Sequence, residues 1–166
     1  MKKAIPLIAL VLMLSVQAYP QKKTFVLVRH AEKDVSATAD RVDPELTSAG
    51  RERAQRLAKV ARRYRPGAVY STDFKRTRDT AAPLAARRGK TVEIYDPKKL
   101  KELVDIMLAS GTKRFLVVGH NNTTPALANI LIGEDRFAPL GESEYGKIWI
   151  VKLKNGKVRS VEVIDY

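Results

Sequence analysis

The chain has 166 residues and no cysteine, with 31 lysines and arginines against 18 acidic residues and a formal net charge of +13. That length suits one domain with one sizeable core, and the lack of cysteine excludes a disulfide scaffold or a lipid-modified N-terminal cysteine. The basic excess favours anionic partners, yet a solvated basic surface is its plainest meaning, and charge alone does not choose among phosphorylated small molecules, acidic envelope surfaces and nucleic acid.

The first residues read as a leader. Lys2 and Lys3 precede an apolar run from Ala4 to Val16, broken only by Pro6 and Ser15, and Val16-Gln17-Ala18 supplies small residues at the usual −3 and −1 positions. This is the layout of a signal peptide over residues 1–18, with cleavage expected after Ala18 and a periplasmic or secreted destination. An uncleaved anchor competes with that reading, but a run of about 13 residues falls short of the ~20 that span a bilayer. Residues 19–166 are then expected to form a single domain of net charge +11, with no further segment apolar enough to cross a membrane.

Thr24–Val28 is a short β-branched apolar run, expected as a strand buried on both faces. Asp43-Pro44 marks a turn. A helix follows, capped by Thr47 or Ser48, with Ala54, Leu57, Ala58, Ala61 and Tyr64 at helical spacing and Pro66-Gly67 as its stop. Ala68–Ser71 is a second strand. Lys75–Arg88 is helical in composition, with Pro83 expected to kink or interrupt it. Thr91–Tyr95 is a third strand, Leu100–Leu108 a helix, Arg114–Gly119 a fourth strand and Thr124–Ile132 a helix ending at Gly133. Lys147–Leu153 and Lys157–Ile164 form a closing hairpin around Asn155-Gly156. This alternation predicts a three-layer α/β/α sandwich with a mainly parallel sheet.

Ligands in such sheets sit beyond the carboxyl ends of the strands. The chain has two histidines, His30 and His120, and each directly follows a predicted strand end. A lone histidine is ordinarily a surface or satisfied core residue; two at strand ends, one preceded by Arg29, point to a shared site. Histidine and carboxylate could instead bind zinc, but the flanking cations disfavour a metal ion and suit a phosphate. A neutral imidazole can attack phosphorus and split hydrolysis into two steps. Guanidinium groups keep it neutral and bind phosphoryl oxygens through paired donors.

Arg29-His30-Ala31-Glu32 resembles the Arg-His-Gly signature of the histidine phosphatase superfamily, also called phosphoglycerate-mutase-like. Leu46-Thr47 with Gly50 and Ala54, Thr72 to Thr77 with Thr80-Ala81, and Gly119 to Thr123 resemble its further motifs in order. The resemblance implies a small phosphatase of phosphoglycerate-mutase-like fold, with His30 as nucleophile, Arg29, Arg76 and His120 around the phosphate, and no metal or other cofactor. Ala31 replaces the usual glycine. Asn121 stands where the acid-phosphatase branch has an aspartate proton donor, and Lys33 stands where that branch has a further arginine and could touch phosphate.

The proton donor is therefore open. Glu32, nearest the nucleophile, is the first choice, with Asp34, Asp73, Glu142 and Glu144 as alternatives; each could equally be a solvated or ion-paired carboxylate. Thr123 and Thr124 are expected to cap their helix, and Tyr145 and Trp149 to belong to core or pocket wall. The expected function is an exported, metal-independent phosphatase acting on phosphomonoesters or phosphoramidates through a phosphohistidine intermediate, its substrate a phosphorylated small molecule or an envelope glycan or lipid phosphate. A non-catalytic polyanion-binding envelope module is the alternative. A phosphomutase ranks lower, because only helix, strand and helix separate Arg76 from Gly119. Nucleic acid is not expected as a partner, since no recognition motif accompanies the basic helix.

Overall fold

A computed structural model describes residues 21–36 and 38–166; the expected signal segment lies outside the described residues. The strands are β1 (Lys22–Arg29), β2 (Ala68–Ser71), β3 (Val92–Ile94), β4 (Arg114–Gly119), β5 (Lys147–Lys154) and β6 (Lys157–Asp165). The helices are α1 (Ser48–Ala61), α2 (Lys75–Arg88), α3 (Leu100–Ala109) and α4 (Thr123–Ile132). The sheet runs in the order β3-β2-β4-β1-β5-β6. The first four strands pair in parallel, while β5 and β6 close one side antiparallel.

Alternation along β1 divides the core. Phe25 and Leu27 point to one face, where α3 and α4 contribute Leu103, Met107, Leu127 and Ala128. Val26 and Val28 point to the other, against Leu57, Ala58, Ala61 and Leu84 of α1 and α2. Both faces are covered, which is why β1 and β4 read as continuous apolar runs rather than alternating ones. The expected three-layer sandwich is the observed one.

Two local details differ from expectation. β1 begins at Lys22, ahead of its apolar run, because Lys22 and Lys23 pair with Lys154 and Leu153 of β5, a contact that local sequence does not announce. Pro83 does not interrupt α2, which runs unbroken through it. The ring sits on a half-buried face, so the one amide bond it forfeits lies on the side of the helix that reaches solvent. The hairpin turn is as expected, with Asn155 and Gly156 at φ 54° and 73°.

One buried charge ties β1 to the end of α3. Lys23 is 3% exposed, and its ammonium donates to the carbonyls of Met107, Ser110 and Thr112 at 2.9, 2.7 and 3.0 Å. All three of its donors are thus used, on carbonyls that a helix end leaves unpaired. Lys23→Met would remove a donor from all three carbonyls, leaving Met107 O with only the Ser110 hydroxyl at 3.1 Å. We expect a loss of about 2 kcal/mol or more, read as a drop of roughly 5–10 °C in Tm, with the secondary structure content unchanged by circular dichroism.

Candidate active site

The parallel register of β1 and β4 sets Arg29 beside Gly119. The next residue on each strand is a histidine, and His30 N donates to Gly119 O at 2.9 Å. The two imidazole centroids are 5.5 Å apart at an interplanar angle of 70°. Helix α1 leaves β1 on one face and α4 leaves β4 on the other, so the crevice between them opens where ligands enter α/β sheets. A pocket of about 380 Å³ lies there, lined by Arg29, His30, Lys33, Arg76 and His120 together with Phe74, Asn121 and Glu142. Five of the six residues singled out from sequence thus meet in one cavity.

His30 is 3% exposed, and its Nδ1 lies 2.8 Å from the Ala31 carbonyl. A carbonyl only accepts, so Nδ1 carries the proton and Nε2 keeps its lone pair. Burial, with the positive surroundings of His120, Arg76 and Arg29, pushes the His30 pKa down to about 3 against the opposing pull of that carbonyl. The turn is held from two helices. Ala31 N donates to Thr80 Oγ1 at 2.9 Å, and Thr47, the cap of α1, donates its N–H to Glu32 O at 2.9 Å. A Cβ at Gly50 would collide with that same Glu32 carbonyl. The Leu46-Thr47-Gly50 motif is therefore a clamp on the loop that follows His30.

Arg76 comes from the first turn of α2 and packs 4.3 Å from the Phe74 ring centroid. Its Nε and NH1, and the Nε of Arg29, are buried without a hydrogen-bond partner among the described residues. Asp43 faces Arg76 NH1 at 3.7 Å, close enough for charge attraction but beyond a hydrogen bond; its Oδ1 instead accepts from Lys75 N. Arg29 stacks 4.2 Å over Tyr145 and donates NH1 to Gly141 O and Glu144 O at 2.8 and 2.9 Å. Two arginines that line the pocket thus keep three buried guanidinium nitrogens without an acceptor, donors of the kind an oxyanion takes.

The second histidine is wired through threonines that sequence inspection left without roles. Thr77 Oγ1 donates to the carbonyls of Thr72 and Phe74 at 2.9 Å each, so its own oxygen accepts from Thr72 Oγ1 at 3.0 Å. Thr72 Oγ1, its proton spent, accepts from His120 Nε2 at 2.9 Å, leaving Nδ1 for a ligand. Burial, then Arg76, Arg29 and Lys33, push His120 down to about 4. Neither Thr123 nor Thr124 caps α4. Thr123 Oγ1 accepts from His120 N at 2.9 Å, Thr124 Oγ1 donates to Val28 O, and Asn122 is the cap.

Glu32 is corrected. Its carboxylate turns away from the pocket onto Arg53, which donates Nε to both oxygens at 2.8 and 2.9 Å and NH2 to one at 2.6 Å. Partial burial raises its pKa, but the Arg53 hydrogen bonds outweigh this and hold it below the usual carboxylate value. A carboxylate fixed this way is a brace, not a proton donor. Of the other candidates, Asp34 accepts from Ser36 N, Asp73 pairs with Arg78 and Glu144 accepts from Gly141 N. Glu142 alone of the five lines the pocket.

Both histidines hold folded pKa values below the ordinary 6.5, so the unfolded chain binds protons first as pH falls. Stability is full above pH 6.5 and is lost as pH drops towards their folded values. For His30 the loss is about 2 kcal/mol at pH 5. Urea midpoints measured between pH 7 and 5 should fall, and His30→Asn should flatten that fall.

Residues 25–104 match the model of the histidine phosphatase superfamily, branch 1. Phosphoglycerate mutase-like protein 4 of Arabidopsis thaliana is 38% identical over 81 residues, 46% of this chain and 35% of that protein. Glucosyl-3-phosphoglycerate phosphatase of Mycolicibacterium vanbaalenii is 32% identical over 75 residues, 43% of this chain and 33% of that protein. The matched stretch thus spans about a third of the length of these curated relatives. Among solved structures, a candidate phosphohistidine phosphatase, SixA, from Agrobacterium tumefaciens shares the fold with a TM-score of 0.66 and 24% identity, over 90% of this chain and 100% of that one. The matched segment carries His30 and Arg76, β4 brings His120 to the same pocket, and residues 25–104, just under half of the chain, are similar to the histidine phosphatase superfamily, branch 1.

Proposed function

We propose that the chain is a phosphatase that works through a phosphohistidine at His30. The observation that carries this is a buried imidazole with its lone pair on Nε2, beside three guanidinium N–H groups that no protein acceptor takes up. His30 Nε2 attacks phosphorus while Arg29 and Arg76 hold the phosphoryl oxygens, and His120 joins them through Nδ1 once the arriving dianion has brought a proton to it. Because Nδ1–H is already donated to Ala31 O, the ring is oriented before substrate arrives and can carry the transferred group. Water then releases phosphate. Hydrolysis rather than mutase transfer is supported by the chain between α2 and β4, which brings only Pro97 and Lys98 to the pocket wall. Nothing in that stretch is positioned to retain a phosphorylated product.

The substrate class follows from charge and from the leader. Lys33 and Lys98 add cationic charge to a lining that already holds two arginines, so a multivalent anion is favoured and a cofactor cation disfavoured. A leader over residues 1–18 would place the enzyme in the cell envelope or outside the cell. Phosphomonoesters or phosphoramidates there, including glycan and lipid phosphates, are the fitting substrates. Fractionation should then recover a chain beginning at Tyr19 in the envelope or medium; a full-length chain confined to the cytoplasm would remove this part of the proposal.

Purified residues 19–166 should hydrolyse p-nitrophenyl phosphate, with no change on adding a chelator. His30→Ala should lower kcat by at least about 1000-fold. Arg76→Lys, which keeps the charge but loses the planar fork, should cost roughly 100-fold. Binding of phosphate without turnover by both wild type and His30→Ala would replace the phosphatase reading by a polyanion-binding module.

A further inference from the structure

We infer that Glu142 is the acid that protonates the leaving oxygen, an assignment that rests on the phosphatase reading above. Its carboxylate stands at the rim of the pocket. Oε1 accepts from Asn121 Nδ2 at 3.0 Å, and Oε2 lies 3.5 Å from Arg29 NH2. Its partners are therefore the residue before the first histidine and the residue after the second. The backbone carrying it is fixed by the same pair. Arg29 holds the carbonyls on either side of Glu142, at Gly141 and Glu144, and Leu140 N donates to Asn121 O at 2.9 Å. An amide at position 121 cannot give a proton, but it aims a carboxylate that can.

The contact with Arg29 is not a locked ion pair. Glu142's side chain is 76% exposed, and such pairs contribute little. A phosphoryl group entering the pocket competes for Arg29 NH2 and frees the Glu142 carboxyl at the rim, beside the path by which the leaving group exits. The lone pair of His30 Nε2 forms the P–N bond as the P–O bond breaks. The electron pair of that bond goes to the leaving oxygen, which takes the proton from Glu142. The resulting carboxylate takes a proton from the water that next attacks phosphorus. The P–N electron pair returns to Nε2, phosphate departs, and Glu142 is again an acid.

The decisive readout is dependence on the leaving group. Wild type, Glu142→Gln and Glu144→Gln would be compared on p-nitrophenyl phosphate, whose leaving phenolate needs little protonation, and on glycerol 2-phosphate, whose alkoxide needs it in full. Glu142→Gln should lose about 100-fold in kcat on the alkyl ester and several-fold at most on the aryl ester. Glu144→Gln, which disturbs only the Gly141 N–H contact, should lower both by a similar factor. Equal losses on the two esters in Glu142→Gln, or no loss on the alkyl ester, would overturn the assignment while leaving the phosphatase reading intact. No turnover of either ester by wild type would overturn that reading and this inference with it.

Discussion

The parallel pairing of β1 with β4 is the constraint on which the site depends. One register, Arg29 beside Gly119, fixes which residues emerge together at the sheet edge. A slip of one residue would carry Phe25 and Leu27 to the wrong layer and misplace the whole apolar pattern of both strands. The hydrophobic core therefore enforces the distance between the two imidazoles, although no residue of either core cluster lines the pocket. Lys23, wedged under the end of α3, secures the opposite end of the same strand.

Around those imidazoles the protein spends stability on polarity. His30 and His120 are held neutral in a cationic pocket, and guanidinium donors are buried beside them with part of their hydrogen-bonding capacity unused. Each of these is unfavourable taken singly. Together they make a surface complementary to a phosphoryl dianion. The threonines Thr72, Thr77 and Thr80 stabilise this arrangement from behind by setting tautomers and loop positions rather than by meeting the ligand.

Local pattern carried most of the fold. Apolar runs marked the buried strands, Thr47 its cap, and Asn155-Gly156 the hairpin, because each is determined within a few residues. Both histidines and Arg76 were legible for a similar reason, since strand ends are where such folds place ligands. Several of the misassigned features depend on surroundings that local pattern does not reveal. Glu32 looked like an acid until Arg53, 21 residues on, proved to hold it. Thr123 looked like a cap, but its hydroxyl is taken by the His120 amide. Glu142 could not be separated from Glu144 by sequence, because Asn121 and Arg29 choose between them in space. Pro83 was misread because its effect depends on which side of α2 faces solvent.

Arg29 works in two directions at once. One guanidinium nitrogen grips the carbonyls of the 141–144 loop, while Nε is buried without a partner and NH2 lies 3.5 Å from Glu142 Oε2. This loop follows α4 and lies downstream of the family-matched segment 25–104. The rim is thus tied to the pocket at two points, by Arg29 and by Asn121, which donates to Glu142 and accepts from Leu140 N. Residues 134–139 can be exchanged without touching the histidines, Glu142 or the two carbonyls that meet NH1. That makes this stretch the natural place for selection, or for a library, to vary what approaches the rim of the pocket.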